Sequence, residues 1–237
     1  QVASLAVPEC GTKFVRGMLE DSRPQTFSDL VRISGFSHGT NVWLDNAQDL
    51  IKNGTCKLNE AISTRDDVMN FLIHRGMDRK HSFFVMENVR KGKGIEKRNK
   101  QGQATTEFEA EMRENNIPEW FIESCKKISY LFPRAHAVAY VMMAFRIAWF
   151  KVYHPLAFYA AYFSIRAKAF DLRIMTGDLK TQMTEFNRIK ALDRAASPKD
   201  KDLMSALEVS MEMYQRGYRF INVDIQHSEA RRFSIKD

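Results

Sequence analysis

The feature that most limits the possible folds is a long apolar stretch that runs from Ala135 to Ala161. It is long enough for a membrane-spanning helix, but Arg146, Lys151, His154 and Pro155 interrupt it at depths where a bilayer penalises charge. Proline lacks the amide that a continuing helix needs, so the helix should break at Pro155. We therefore expect a buried helix of a globular protein and no membrane span.

Apolar residues also recur at helical spacing through most of the remaining sequence. Thr26 is placed to cap a helix that Gly35 would end, and Thr64 or Ser63 is placed to cap another. The expected helices cover residues 27–34, 46–52, 65–75, 78–90, 106–115, 118–130, 135–153, 156–167, 179–192 and 198–216.

The apolar period changes after Gly217. Short extended segments are predicted around Tyr218, Phe220, Val223, Ile225, Phe233 and Ile235. The sequence thus predicts a mainly α fold, a multi-helix domain with a few short strands near the C-terminus. A modest boundary is expected near residues 167–178, where the aromatic helices give way to a polar helical region.

The charge balance favours a polyanionic partner. Lys and Arg number 36 against 29 Asp and Glu, which gives a net charge of +7 and a pI near 9.3. Such an excess suits nucleic acid or an anionic membrane surface, although a solvated basic surface explains it equally well. Because Cys10, Cys56 and Cys125 are few and widely spaced, reduced thiols in a cytoplasmic protein are expected.

One segment, residues 91–105 (KGKGIEKRNKQGQAT), is strongly basic and almost devoid of apolar residues. This composition predicts an exposed, mobile loop. Its amides and ammonium groups could meet phosphates, or the segment could be only a flexible basic turn.

The common catalytic motifs are absent: the sequence has no HExxH, no GxSxG and no GxxxxGK[ST]. Asp66 and Asp67 form an acidic pair in the first turn of a predicted helix, where they complement the helix dipole. A structural role is therefore favoured over metal binding. Asp200 and Asp202 lie in a polar, solvent-like segment, and no metal site is assigned to them.

The long apolar helix can present a chemically distinctive arc. At 100° per residue, one broad face carries His136, Tyr140, Met143, Arg146, Phe150 and Lys151. The opposite face, expected to anchor in the core, carries Val138, Val141, Phe145, Ala148 and Trp149. Rings beside cations suit a nucleotide, since the ring meets the base and the cations meet phosphate. The alternative is a core helix in which a buried carboxylate satisfies the arginine.

Residues 34–40 (SGFSHGT) place small, hydroxyl and glycine residues around His38 between two predicted helices. This composition allows close backbone approach to a ligand, but it is equally that of an ordinary helix–helix turn.

Taken together, several segments resemble the PolC-type DNA polymerase III alpha subunit, a bacterial C-family replicative polymerase. They are FVRGMLEDSRPQTFSDLVRISGFSHGTNVWLDNAQDLI, RDDVMNFLIHRG, MENVRKGKG and FEAEMRENNIPEWFIESCKKISYLFPRAHAVAYVMMAFRIAWFKVYHPLAFYAAYF. The resemblance runs over about residues 8–232. One departure is IEKRNKQGQATTEFEAEMR, which is longer than the family pattern leads us to expect.

The resemblance implies a fingers region that lies between a palm and a helix-hairpin-helix module of a much larger cytoplasmic polypeptide. Residues 1–170 would form the fingers core, and residues 171–237 would form a helical part leading toward that module. Such fingers close over the incoming dNTP and the template-primer DNA, while the palm carries the catalytic aspartates and binds Mg. The sliding clamp and other replisome subunits would bind through parts absent here. By this reading the chain alone holds no catalytic or metal residues and is inactive.

The resemblance and the helical arc together assign substrate-contacting residues. The triphosphate or template phosphates are assigned to Arg75, Lys91 and Lys93, and the nucleotide or nascent pair to His136, Tyr140 and Arg146. The adjoining pocket is assigned to Ser37, His38 and Gly39, with an apolar wall from Phe132 and Pro133.

Two competing functions remain open on the sequence alone. A non-enzymatic basic helical DNA-binding module would need a recognition helix with polar base-reading residues, and none of the predicted helices has that layout. A purely structural helical scaffold would bind no nucleotide, even when joined to a palm.

Overall fold

A computed structural model of the chain describes residues 3–98, 102 and 104–236. Its first helices are α1 (Lys13–Ser22), α2 (Phe27–His38), α3 (Gln48–Lys52), α4 (Arg65–His74) and α5 (Arg79–Arg90). Two short strands, β1 (Lys97–Arg98) and β2 (Ala104–Thr105), precede α6 (Glu107–Glu114), α7 (Glu119–Lys127), α8 (Arg134–Tyr153) and α9 (Pro155–Ala161). The last helices are α10 (Leu172–Met175), α11 (Leu179–Leu192) and α12 (Pro198–Gln215). The mainly α prediction is confirmed.

Local capping explains where several helices begin. Thr26, Thr64 and Ser197 each form a capping box, in which a hydroxyl and an aspartate three residues later satisfy backbone amides reciprocally. The prediction that Gly35 ends α2 is wrong, because the helix continues to His38. Gly35 lies buried inside the helix, where an added Cβ would sit 2.7 Å from the Ser63 carbonyl oxygen. This glycine permits close packing and does not stop the helix.

The described residues form two compact units, each considered by itself. The first contains residues 3–4 and 8–144, and the second contains residues 5–7 and 145–236. The division falls within α8, whereas the predicted functional boundary at residue 170 stays a prediction. In the first unit the core is built from buried residues of α1, α2, α4, α5, α6 and α7.

The second unit packs α9, α10, α11 and α12 around its own core. Its C-terminal segment crosses an aromatic cluster formed by Phe163, Phe170, Phe220 and Phe233. The predicted short strands in this segment are not confirmed, because the described part of residues 218–236 contains no strand. Of the apolar residues with period two, Phe220 and Phe233 pack through ring contacts, whereas Val223, Ile225 and Ile235 are exposed.

Helix α8 departs from the predicted buried helix. It has the length and composition to cross a bilayer, yet only 22% of its most apolar 18-residue window is buried within the chain. In the first unit Val141 packs inward, but Phe145 and Trp149, which belong to the second unit, are 55% and 46% exposed and do not anchor in the core. Because apolar residues surround the whole helix, a single packed face cannot cover them all.

Lys151 was predicted to be a ligand-facing cation, but its side chain is buried. Its side chain is 2% exposed, and its ammonium donates to the Leu5 carbonyl at 2.5 Å and to Glu212 at 2.8 Å. A buried ammonium needs such partners, because desolvation without them would cost several kcal/mol. Lys151 is therefore a packing residue of the second unit.

Candidate functional site

Four rings follow one another across the first unit and form what we call the ring row: His38, Phe132, His136 and Tyr140. The centroids of His38 and Phe132 are 4.8 Å apart in a stacked arrangement, and Phe132 meets His136 edge-on at 4.8 Å. His136 stacks on Tyr140 at 4.4 Å, as residues four apart on a helix can. His136 is exposed and Tyr140 is 49% exposed, so this end of the row is open to a ligand.

The imidazole of His38 is fixed at the other end of the row. Its Nδ1 lies 2.8 Å from the Ser34 carbonyl oxygen and 3.0 Å from Ser37 Oγ, and its Nε2 lies 3.1 Å from a Glu9 carboxylate oxygen. The sequence pattern had singled out Ser37 and His38 but not Glu9. Contact between the N-terminal segment and α2 leaves no periodic signal that could have revealed it.

Gly39 packs closely against its own chain. A Cβ at this position would overlap the Val42 side chain and sit 3.0 Å from the Tyr130 carbonyl oxygen. The expected close backbone approach therefore exists, but its partner is protein. Pro133 directly precedes α8, and its carbonyl accepts from the Ala137 amide at 3.2 Å. Phe132 and Pro133 are both half-buried, with Phe132 inside the ring row.

An extended connection, residues 128–133, brings distant parts of the sequence to the ring row. Its backbone hydrogen bonds are Thr40 N to Tyr130 O at 3.0 Å, Ser129 N to Thr40 O at 3.0 Å, Arg65 N to Phe132 O at 3.1 Å and Leu131 N to Arg90 O at 3.3 Å. The ends of α2 and α5 and the start of α4 therefore meet beside the same segment. This meeting places Arg65 next to Phe132, a neighbour that sequence reasoning missed.

Asp66 and Asp67 hold this arrangement in place. Asp66 accepts from the Arg134 amide at 2.8 Å and so caps the start of α8. Asp67 accepts from the amides and hydroxyls of Ser63 and Thr64, and it pairs with Arg134 at 3.1 Å and with Arg32 at 3.5 Å. The predicted structural role is confirmed for both. Across the described ranges, no group of three His, Cys, Asp or Glu residues is arranged to hold a metal ion.

The basic turn after α5 is partly neutralised. Arg90, at 2.5 Å, and Lys91, at 2.9 Å, both pair with Glu87. The hydrogen bond from Arg90, together with that from Lys91, lowers the pKa of Glu87 to about 2. Lys93 is exposed and forms no ion pair with any residue that the structure describes, so it is the freer cation of the two lysines predicted to contact phosphate.

The predicted exposed loop at residues 91–105 is only partly a loop. Ile95 is buried, and β1 pairs with β2 in antiparallel register, Lys97 opposite Thr105 and Arg98 opposite Ala104. Gly92 and Gly94 adopt positive φ values of 68° and 66°, which shape the turn. The predicted mobility also concerns residues 99–101 and 103, which lie outside the described residues.

Arg75, one of the two arginines predicted to contact substrate, lies away from the ring row. Arg75 lies at the C-terminal end of α4, with its guanidinium 5.2 Å from the Phe71 ring and 3.5 Å from the Asn116 carbonyl oxygen. A helix of ten residues is about 15 Å long, so Arg75 is remote from Phe132 at the other end of α4. Arg146 is exposed but belongs to the second unit.

Comparison with known proteins identifies the class of molecule that carries these features. Residues 1–116 match the model of the bacterial DNA polymerase III alpha subunit finger domain. The chain belongs to the PolC-type DNA polymerase III family, as a segment of its members.

Three relatives named "DNA polymerase III PolC-type" illustrate the match. The chain is 54% identical over 236 residues to that of Caldanaerobacter subterraneus subsp. tengcongensis, covering 100% of this chain. It is 52% identical over 238 residues to that of Bacillus subtilis and 53% identical over 235 residues to that of Thermotoga maritima, each covering 99% of this chain. In all three cases the chain spans only 16% of the relative's length.

Proposed function

We propose that the chain is the nucleotide-contacting part of a bacterial replicative DNA-directed DNA polymerase, in which the open end of the ring row binds the incoming dNTP above the template-primer DNA. The observation that carries this proposal is the exposed stack of His136 on Tyr140, backed by Phe132. A phenol ring offers a flat apolar face to a base or sugar, and the imidazole beside it can donate to phosphate.

Cations around the same segment support the proposal. Lys93 forms no ion pair within the described ranges, and Lys91 forms an ion pair with Glu87. Arg65 joins Phe132 through its backbone amide. Because phosphoryl transfer depends largely on positioning and charge neutralisation, such groups can hold a triphosphate without performing chemistry themselves. We assign Arg75 to template phosphates, outside the ring row, and Arg146 to the nucleotide or nascent pair.

Magnesium is the metal that this reaction class requires, and it would neutralise the negative charge of the reacting phosphates. The described residues of this chain do not fit a magnesium site, because Asp66 and Asp67 are engaged as helix caps and ion-pair partners. We therefore assign the metal ligands, and with them nucleotidyl transfer, to a palm elsewhere in the full polypeptide. The cytoplasmic location and the replisome partners follow from the same proposal.

Substitution of Tyr140 in the full-length polymerase tests the proposal. Removing a ring that stacks on a base costs about 1–3 kcal/mol, so Tyr140→Ala should weaken dNTP binding by about 5- to 150-fold in single-turnover incorporation. Tyr140→Phe should retain most of the affinity, and the primer-template affinity should hardly change. Phe83→Ala is a matched control, since Phe83 is a comparably exposed ring (44%) on α5. Equal dNTP affinity in Tyr140→Ala and Phe83→Ala would refute the assignment.

A further inference from the structure

The second unit exposes a set of large apolar side chains on neighbouring turns of α8 and α9, which we call the α8–α9 patch. Its members are Phe145, Trp149, Phe150, Val152, Tyr153 and Leu156. Trp149 and Phe150 are 46% and 49% exposed, and Val152 and Tyr153 are 66% and 65% exposed. None of these residues belongs to the ring row.

The size of this patch is unusual for a surface that faces water. An aromatic side chain offers roughly 150–250 Å², so three half-exposed rings alone contribute about 300 Å² of mostly apolar surface. The aliphatic members take the patch beyond the few hundred Å² at which exposed apolar surface marks an interaction site. A helix that is apolar on all sides is typical of a buried position in a larger body.

The rings of the patch are already ordered against one another. The Trp149 centroid lies 5.2 Å from that of Phe150, 5.2 Å from that of Tyr153 and 5.1 Å from that of His154. Such a cluster loses little side-chain freedom when a partner covers it. Tryptophan and tyrosine are also the residues that most often dominate the energy of an interface.

Charge argues against phosphate as the partner of this patch. Two cations lie within the same helical stretch: Arg146 is exposed, whereas the Lys151 ammonium points inward, where Glu212 neutralises it. Nucleic-acid surfaces that stack bases combine their rings with a positively charged groove. The six patch members are uncharged, and one exposed arginine does not make such a groove, so the patch fits an apolar protein surface better than a strand of DNA.

We propose that the α8–α9 patch is an intramolecular interface, covered in the full-length polypeptide by an apolar surface of the sequence that flanks this segment. The chain spans 16% of the length of its PolC-type relatives, so a large body of flanking polypeptide is at hand to supply that surface. This occupant would be permanently attached, which suits an interface as apolar as a domain core. The inference does not depend on the nucleotide contacts proposed for the ring row.

Cysteine modification in the full-length polymerase tests this inference. Val152→Cys and Tyr153→Cys place thiols in the patch, and Lys201→Cys places a control thiol on the exposed polar side of α12. Each variant is treated with a maleimide without DNA, and peptide-resolved mass spectrometry gives the labelling rate relative to that in denaturant. Covered thiols that react only through local opening should be slowed by at least about 100-fold, and the control by only a few-fold.

Two protected positions and a reactive control, with circular dichroism matching that of the parent, would support the proposal. Labelling of both patch thiols at the rate of Lys201→Cys would overturn it, as would protection that appears only after primer-template DNA or anionic vesicles are added. Protection that grows with protein concentration would assign the patch to a second copy instead. Failure of the Tyr140 experiment would leave these outcomes unchanged.

Discussion

Removal of the Asp67 carboxylate should loosen the first unit far more than the loss of an ordinary helix cap. Asp67→Ala takes away the acceptor of four hydrogen bonds from Ser63 and Thr64 and the partner of Arg134 and Arg32. The Asp67 side chain is 9% exposed and that of Arg32 is 12% exposed, so water can replace little of what is lost.

The structure permits an estimate of this cost. Hydrogen bonds to a charged group contribute about 1.5–3 kcal/mol, and breaking a buried ion pair costs about 3–5 kcal/mol. Arg134 is 37% exposed and keeps part of its hydration, and Arg32 still donates to the Ala61 carbonyl. We therefore expect a loss near the bottom of the ion-pair range, about 3 kcal/mol, which corresponds to about a 150-fold change in an opening equilibrium.

Hydrogen exchange followed by mass spectrometry measures this opening locally. Amides of α4 and the first turns of α8 should exchange about 100-fold faster in Asp67→Ala than in the parent. Asp200→Ala is the matched control, because Asp200 also completes a capping box but its side chain is 27% exposed, and among the described residues its one charged partner is Arg188 at 3.5 Å. Its effect should be about 1 kcal/mol or less. If the Asp67 and Asp200 variants change exchange equally, Asp67 does not join the elements as described.

Three further predictions concern the basic turn after α5 and the pair Arg65 and Arg75. The depressed pKa of Glu87 contributes stability that is fully present above the ordinary value of 4.5 and is lost as the pH falls toward about 2. Amide hydrogen exchange in the turn after α5 should therefore become faster as the pH falls through that range. Glu87→Gln should abolish this pH dependence. Gly92→Ala should lower the melting temperature more than Gly94→Ala: both have positive φ and cost about 1–2 kcal/mol of strain, but only a Cβ at Gly92 meets backbone, 2.5 Å from the Ser129 carbonyl oxygen. In full-length polymerase, Arg65→Ala should reduce dNTP affinity about tenfold and Arg75→Ala should not, as a transient-state titration would reveal.

The local signals of the sequence predicted much of the secondary structure. Thr26, Thr64 and Ser197 cap helices because their hydroxyls and the aspartates three residues later lie within one turn, where geometry depends only on neighbouring residues. The acidic pair at Asp66 and Asp67 was likewise assigned a structural role, and both carboxylates accept hydrogen bonds at the starts of helices. Gly35 was misread because its role depends on the distant Ser63 backbone.

The arrangement of the candidate site was less accessible from periodicity. His136 and Tyr140 share a face because they are four residues apart on α8, but His38 reaches Phe132 only through tertiary packing. The helical wheel also placed Lys151 with the ligand-facing cations, since it contains no information about the α12 carboxylate that draws the ammonium inward. Residue type and position around the helix predict which side chains share a face. Whether a side chain on that face is buried depends on residues that are distant in sequence.

The extended connection at residues 128–133 has a consequence for the order of folding. It meets partners far away in sequence, as in the hydrogen bond between Asn41 and Ser129, which are 88 residues apart, and that between the Arg65 amide and the Phe132 carbonyl. The chain must pay the entropy of closing these long loops before such contacts stabilise it. The individual helices can therefore form early, while the ring row acquires its geometry only when this segment docks. Mutations that slow docking should reduce the yield of competent molecules without changing the helices themselves.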